Sequence, residues 1–199
     1  MINNEERLQK QFAFIQEIDK EKNVFRQTYL ADANRKENDA EHCWHMAVMA
    51  MLLSEYSNEE IDVLHTMSLA LIHDLVEIYA GDTYAYDTEG NADKLERETA
   101  AADKLFALLP DDQRDKMRGL WDEYEALETP ESKFANTLDK IQPLMLNNAS
   151  GGLSWKEHGV KASQVYERNK KTAEGSVRLW EYVEKNFIKP NIGTKLLIE

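Results

Sequence analysis

The segment His73-Asp74-Leu75-Val76-Glu77-Ile78-Tyr79-Ala80-Gly81-Asp82 places an adjacent His-Asp pair and two further carboxylates at the polar end of a run containing Met67, Leu69, Ala70, Leu71 and Ile72. A helix with that apolar run is built for burial, and burying an imidazole beside three acids is costly unless a cation compensates them. A divalent metal is the economical answer. His42, in the first turn of a predicted helix, and Asp139, on a helix whose neighbouring inward positions are Phe134, Leu138 and Ile141, complete a set of four potential ligands on three helices. Two nitrogens and two oxygens projected from facing helices suit one divalent ion of the Mn, Co, Fe, Ni, Mg or Zn group, with positions left for water and substrate.

Helices must carry these groups. Phe12, Ile15 and Ile18 recur at helical spacing over about Glu5 to Lys20, followed by an irregular stretch around Val24 to Asn34 that holds Arg26 and Tyr29, with Arg35 just beyond. Asn38 with Glu41 reads as a capping box opening a second helix to about Tyr56. Ser57 with Glu60 repeats the signal for a third helix, which runs to Gly81, and a loop is expected from Asp82 to Asn91. Two helices follow, about Asp93 to Leu108 and Asp112 to Leu127, and Thr129 with Pro130 opens the one that carries Asp139. Gly151-Gly152 interrupts the chain, Ser154 with Glu157 caps a later helix, and a last amphipathic helix spans about Thr172 to Phe187.

Composition agrees with an all-α chain. Eight Gly and four Pro in 199 residues are too few turn formers for a many-stranded sheet, and 42% hydrophobic residues are enough for one domain with a real core. The formal charge of −13 disfavours nucleic acid polymers and anionic membranes as partners. A small anionic substrate would need local basic groups and a metal to overcome that field. Cys43 is the only cysteine, the first residues are polar, and no stretch reaches the roughly 20 apolar residues of a membrane span, so a cytoplasmic setting is expected.

The spacing of the four ligands resembles the HD-domain phosphohydrolase superfamily: a His, an adjacent His-Asp and a distant Asp. Glu37-Asn38-Asp39-Ala40-Glu41-His42 is similar to its "E-S-V-A-E-H" word, His73 to Glu77 with Gly81-Asp82 to "H-D-x-x-E…G-D", and Asp139-Lys140-Ile141-Gln142-Pro143 to "D-K-[IL]-Q-P". Three words in the right order resemble the 5'-deoxynucleotidase branch in particular. The resemblance implies a single HD-domain helical bundle, with a core of about residues 5–150 and C-terminal helices about 154–188 packed on it. It also implies one divalent metal held by His42, His73, Asp74 and Asp139, a nucleotide substrate, a homodimer, and hydrolysis of deoxynucleoside 5'-monophosphates.

Under the same resemblance Glu77 and Asp82 are the proton-transfer groups, and Arg26, with Arg35 as a second candidate, meets the phosphate. The family's Arg-x-Gly-Trp is replaced here by Arg26-Gln27-Thr28-Tyr29, which leaves Tyr29 as the candidate for the sugar-recognising tryptophan. Hydrolysis of another nucleotide or small phosphate ester, and a non-catalytic metal- or nucleotide-binding module, are the competing readings. His45, His65, His158 and Cys43 read as structural residues outside the ligand set.

Overall fold

Asn3 opens the first helix, α1 (Asn4–Ile18), by accepting a hydrogen bond from the Glu6 amide at 2.9 Å. Its inward face differs from the expected one. Phe12 and Ile15 are exposed, whereas Phe14 is buried and meets Phe106 with ring centroids 6.4 Å apart. Gln11 also bonds Gln113 of a later helix at 2.8 Å, consistent with the rotation that the Phe14–Phe106 contact sets. The computed structural model describes residues 3–86, 92–194 and 197, so the end of the expected 82–91 loop, from residue 87, lies outside the described residues.

The stretch expected to be irregular is instead a short antiparallel hairpin, β1 (Phe25–Tyr29) and β2 (Lys36–Asn38), pairing Phe25 with Asn38 and Tyr29 with Lys36. Its turn needs a left-handed residue at Ala33 (φ 64°) and is braced by Asp32, whose carboxylate accepts from the Asn34 amide at 3.1 Å. The hairpin delivers Arg26 to the start of α2 (Asp39–Leu53). The Asn38 and Glu41 capping box forms there as expected, with reciprocal bonds of 2.9 and 3.1 Å.

Helix α3 (Val63–Ile72) is capped by Asp62 rather than by the expected Ser57 and Glu60, because a 3-10 turn at Ser54–Tyr56 and extended chain occupy that region. The expected continuous helix to Gly81 breaks after Ile72. A tight turn holds residues 73–76 and α4 (Glu77–Ala80) resumes beyond it. Gly81 (φ 77°) then reverses the chain. The segment Val63–Ala80 has the length and apolar composition of a short membrane span, contrary to expectation. Here it is split by that turn and buries Leu69, Ala70, Leu75 and Val76 in the core.

Helices α5 (Lys94–Phe106) and α6 (Asp111–Ala126) form where expected. So does α7 (Pro130–Ala149), with Thr129 as cap and Pro130 in its first turn. Next, α8 (Leu153–His158) enters through Gly152 in the left-handed region instead of a Ser154 cap, and α9 (Ala162–Arg168) follows. The expected final helix is fragmented into a 3-10 turn at Thr172–Glu174, α10 (Val177–Val183) and a π turn at Glu184–Ile188.

One core joins Met46 and Met49 of α2, Phe134, Leu138 and Ile141 of α7, Trp155 of α8, Val165 of α9 and Val183 of α10. A second gathers Phe14, Leu75, Val76, Leu105, Phe106 and Trp121. Between these two apolar masses run the N-terminus of α2, the end of α3 and the middle of α7. Gly175 explains the break before α10, since a Cβ there would lie 2.3 Å from the Lys133 carbonyl oxygen and 2.5 Å from Thr137 Oγ1. Gly175→Ala is therefore expected to destabilise the fold by about 1–3 kcal/mol, read as a lower urea midpoint with unchanged m-value.

Candidate metal centre

His42 stands in the first turn of α2, His73 caps the C-terminus of α3, Asp74 follows in the turn and Asp139 projects from mid-α7. The structure brings all four together. His42 Nε2 is 3.2 Å from Asp139 Oδ1 and 3.9 Å from Asp74 Oδ2, and His73 Nε2 is 3.0 Å from Asp74 Oδ2. All four residues are buried. The turn at residues 73–76 turns His73 and Asp74 out of the helical path and toward α7. Pro143 lacks the N–H that would bond the Asp139 carbonyl one turn earlier, so the backbone beneath this ligand is also locally released.

The hydrogen bonds fix the imidazole tautomers. Gln142 donates through Nε2 to Glu37 at 2.8 Å, so its Oε1 faces His42 Nδ1 at 3.0 Å and accepts that ring's proton. The Ala70 carbonyl can only accept, and it lies 2.9 Å from His73 Nδ1. Both rings thus commit Nδ1–H outward and turn an Nε2 lone pair toward carboxylate oxygens. His73 Nε2 is a buried atom without a hydrogen-bond partner. Lone pairs facing carboxylates at these distances repel unless a cation sits among them.

Charge makes the same demand. Burial and then Arg26 push His42 down to about 4, so a proton is a poor occupant there. Burial also opposes charge on His73, but Asp74 outweighs it and holds that ring above its ordinary value. Burial disfavours charge on Asp74, yet His73 and Arg26 hold it far below the usual carboxylate range; Asp139 is held low in the same way by Lys140 and His42. His42, His73 and the ionised Asp74 and Asp139 form a donor set that fits a divalent ion, which would displace the proton that Asp74 favours on His73 and be held by all four. Cys43 stays outside the set: burial pushes its thiol up, and it lies 3.7 Å from Glu21 Oε1, on the Nδ1 side of His73.

Of the proton-transfer candidates, Glu77 is 3% exposed, lines the cleft beside Asp74 and leaves Oε2 without a partner. Burial, then Asp74 and Asp39, push it well above the carboxylate range. Asp82, also raised by burial, lines the same cleft just after Gly81. Arg26 Nη1 donates to Asp74 at 2.7 Å and to Asp39 at 3.3 Å, with Asp139 3.7 Å from Nη2.

Two expected substrate contacts stand elsewhere. Arg35 makes an exposed pair with Glu41, which the capping box already holds at the start of α2, and Tyr29 donates to Glu157 at 2.7 Å. Strand alternation is the reason: Arg26 and Thr28 share the inward face of β1, so Tyr29 falls on the other. His65, read as lacking a partner, bonds Glu123 at 2.8 Å.

Sequence reasoning passed over Glu37, Asp39 and Gln142, although each lies inside a quoted word. Buried Glu37 and Asp39 are pushed up to about 7 and about 8, mainly by burial. Lys140 bonds Asp139 Oδ2 at 2.6 Å in a part-buried pair. Lys94, which pairs with buried Glu98 at 3.1 Å, and Arg168 carried no sequence signal, because only the fold brings α5 and α9 to the cleft. The cleft has two hollows sharing Arg26, Asp82, Asp139, Lys140 and Arg168 as a wall. One is lined by His73, Asp74 and Glu77; the other is lined by Tyr84, Tyr86, Trp155 and Asn147.

The HD domain family profile matches residues 18–180, a span containing every one of these ligands. The chain belongs to the HD domain family. The crystal structure of a predicted metal-dependent phosphohydrolase from Magnetospirillum magnetotacticum superposes on this HD domain with TM-score 0.86 and 46% identity, covering 93% of this chain and 95% of the other. The 5'-deoxynucleotidase HDDC2 of Homo sapiens is 32% identical over 114 residues, 57% of this chain and 54% of that protein. Its Xenopus laevis counterpart is 34% identical over 111 residues, 56% of this chain and 54% of that protein. The chain thus matches about half the length of these curated relatives.

The outer hydrogen bonds to the imidazoles generate a test of the HD metal centre. Asp139→Ala is expected to abolish Mn retention in equilibrium dialysis, and Gln142→Leu to weaken it about 10- to 100-fold by freeing the His42 ring. Excess Mn should raise the melting temperature of the unaltered protein and not that of Asp139→Ala. Equal Mn retention in all three proteins would exclude this ligand set.

Proposed function

We propose that this HD domain is a metal-dependent phosphomonoester hydrolase converting deoxynucleoside 5'-monophosphates to deoxynucleoside and phosphate. The observation that carries this reading is the partnerless Glu77 carboxyl oxygen beside the His42, His73, Asp74 and Asp139 cluster in a cleft edged by cations. A non-catalytic binding module has no use for a buried acid with one oxygen left without a hydrogen bond next to the ligands. The 5'-deoxynucleotidase names of the curated relatives and the phosphohydrolase name of the Magnetospirillum structure support the same chemistry.

A divalent ion bound there would polarise phosphoryl oxygens and acidify water near neutral pH. The chain's own groups do the rest. Glu77, which the positive charge of the ion would return to its ionised form, orients water and takes its proton as the oxygen attacks phosphorus, and as the phosphorus–oxygen bond to the sugar breaks Asp82 supplies a proton to the departing oxygen. Arg26, held by Asp74 and Asp39, sets positive charge against the phosphate. Lys140, Lys94 and Arg168 extend it along the cleft, which provides the local basic groups that a chain of charge −13 needs for an anionic substrate.

The hollow lined by Tyr84, Tyr86 and Trp155 offers aromatic faces beside the cleft's cations and takes the nucleoside. Tyr29 is tied to Glu157 and does not line it, so sugar contact falls to Thr28 on the inward face of β1. A cytoplasmic homodimer belongs to the same reading; the exposed strip of Leu8, Phe12 and Ile15 on α1 is a surface that a second copy would cover.

Chelator-stripped protein resupplied with Mn, Co, Mg or Zn is expected to release phosphate from deoxynucleoside 5'-monophosphates faster than from their ribo counterparts. Equal rates would retain the phosphatase and remove the sugar selectivity, while no release with any metal would overturn the proposal. Glu77→Gln should keep its metal and lose about 10²- to 10⁴-fold in kcat. An unchanged rate would exclude Glu77 as the base.

A further inference from the structure

Most arginines of this chain are tied to carboxylates: Arg7 to Asp112, Arg26 to Asp74, Arg35 to Glu41, Arg97 to Asp93, Arg114 to Asp111 and Arg118 to Asp122. Arg168 is different. Among the described residues no carboxylate lies within ion-pair distance of it and it makes no hydrogen bond, yet it lines both hollows of the cleft. Arg178, the other arginine without such a partner, lines neither hollow.

The position of Arg168 is fixed by the chain around it. It is the last residue of α9, and Asn169 directly after it is buried and bonds back to the Val165 carbonyl at 2.7 Å. Thr172 Oγ1 donates to Asn169 at 3.3 Å, and the Thr172 carbonyl accepts from Thr137 Oγ1 at 2.7 Å. Thr137 lies on α7 two residues before Asp139, so the end of α9 is pinned beside a metal ligand. Lys140 occupies the same shared wall, lining both hollows with Arg168. Two cations thus share one wall of the cleft with only Asp139 bonded to one of them, an arrangement suited to an arriving anion.

We propose that Arg168 is a phosphate anchor. Its guanidinium, with the Lys140 ammonium beside it, grips non-reacting oxygens of the substrate phosphate at the wall between the hollows. The nucleoside is then directed toward Tyr84, Tyr86 and Trp155. The planar fork of donors matches two phosphate oxygens at once, which a lysine at the same place cannot do. The competing reading is an exposed arginine that merely favours the C-terminal end of α9, and it predicts no effect on phosphate.

The inference rests on the phosphomonoesterase reading, so its test uses inorganic phosphate as well as substrate. Mn-loaded unaltered protein, Arg168→Gln and Arg168→Lys are compared for phosphate affinity by calorimetry and for KM and kcat with deoxynucleoside 5'-monophosphates. Melting temperature and metal content serve as controls of folding. Arg168→Gln is expected to weaken phosphate binding and raise KM by about ten- to a hundred-fold, with kcat nearly unchanged and metal content equal. Arg168→Lys should recover part of both.

Unchanged phosphate affinity and KM in Arg168→Gln would overturn the anchor while leaving the hydrolase reading intact. Absence of phosphate binding by the unaltered protein would also overturn it. If no deoxynucleotide is hydrolysed but Arg168→Gln still weakens phosphate binding, the anchor stands and the deoxynucleotidase reading falls.

Discussion

Two imidazoles whose Nδ1 protons are committed to Gln142 and Ala70 leave their Nε2 lone pairs aimed at the carboxylates of Asp74 and Asp139, and the surrounding structure maintains that repulsive juxtaposition. Left to themselves these groups would rotate apart. They are prevented by burial between the two apolar clusters, by the capping box that fixes the first turn of α2, and by the helix break that fixes His73 and Asp74. The fold holds a pre-organised cation site at the cost of electrostatic strain, which a bound divalent ion removes.

That constraint reaches outward in layers. Gln142 touches His42, Glu37 and His45 in one buried network, so a single amide sets one ring's tautomer and neutralises a buried acid with a donor. Arg26 reaches Asp74 and Asp39 and lies near Asp139 and Glu37, which makes it the counter-charge for the carboxylates on its side of the centre. The hairpin that carries Arg26 is accordingly part of the site rather than decoration on a helical bundle. Its inward face delivers Arg26 and Thr28, and its outward face ties Tyr29 to Glu157 of α8.

The legible part of this protein was the part whose information is local. The ligands and Glu77 lie in words a few residues long, and the Asn38 and Thr129 caps act over three residues, so both could be read directly. Phe12 against Phe14 was misread because three apolar residues in four leave the rotation of α1 undecided until Phe106 is in place. The hairpin was missed because five residues of β1 and three of β2 are too short to show a period. The break before α10 follows from the approach of Gly175 to Lys133, forty-two residues earlier, which no window along the chain contains. Lys94 and Arg168 escaped notice for the same reason, since their meaning comes from which helices flank the cleft.

Local words and distant helices also divide the work of the cleft. His42, His73, Asp74 and Asp139 come from α2, the end of α3 and α7, and their geometry is set by caps, turns and the Gln142 network. Trp155 and Arg168 come from α8 and α9, which pack on α7 through Val165, Trp155 and the Thr137 to Thr172 bond. Changes in α8 or α9 can therefore reshape the second hollow without moving a single metal ligand, because no hydrogen bond or ion pair links Trp155 or Arg168 to the ligand imidazoles among the described residues. The rigid element common to both halves is α7, carrying Thr137, Asp139, Lys140 and Gln142 within two turns, so it fixes the distance between the group that would hold the metal and the group that would hold the phosphate.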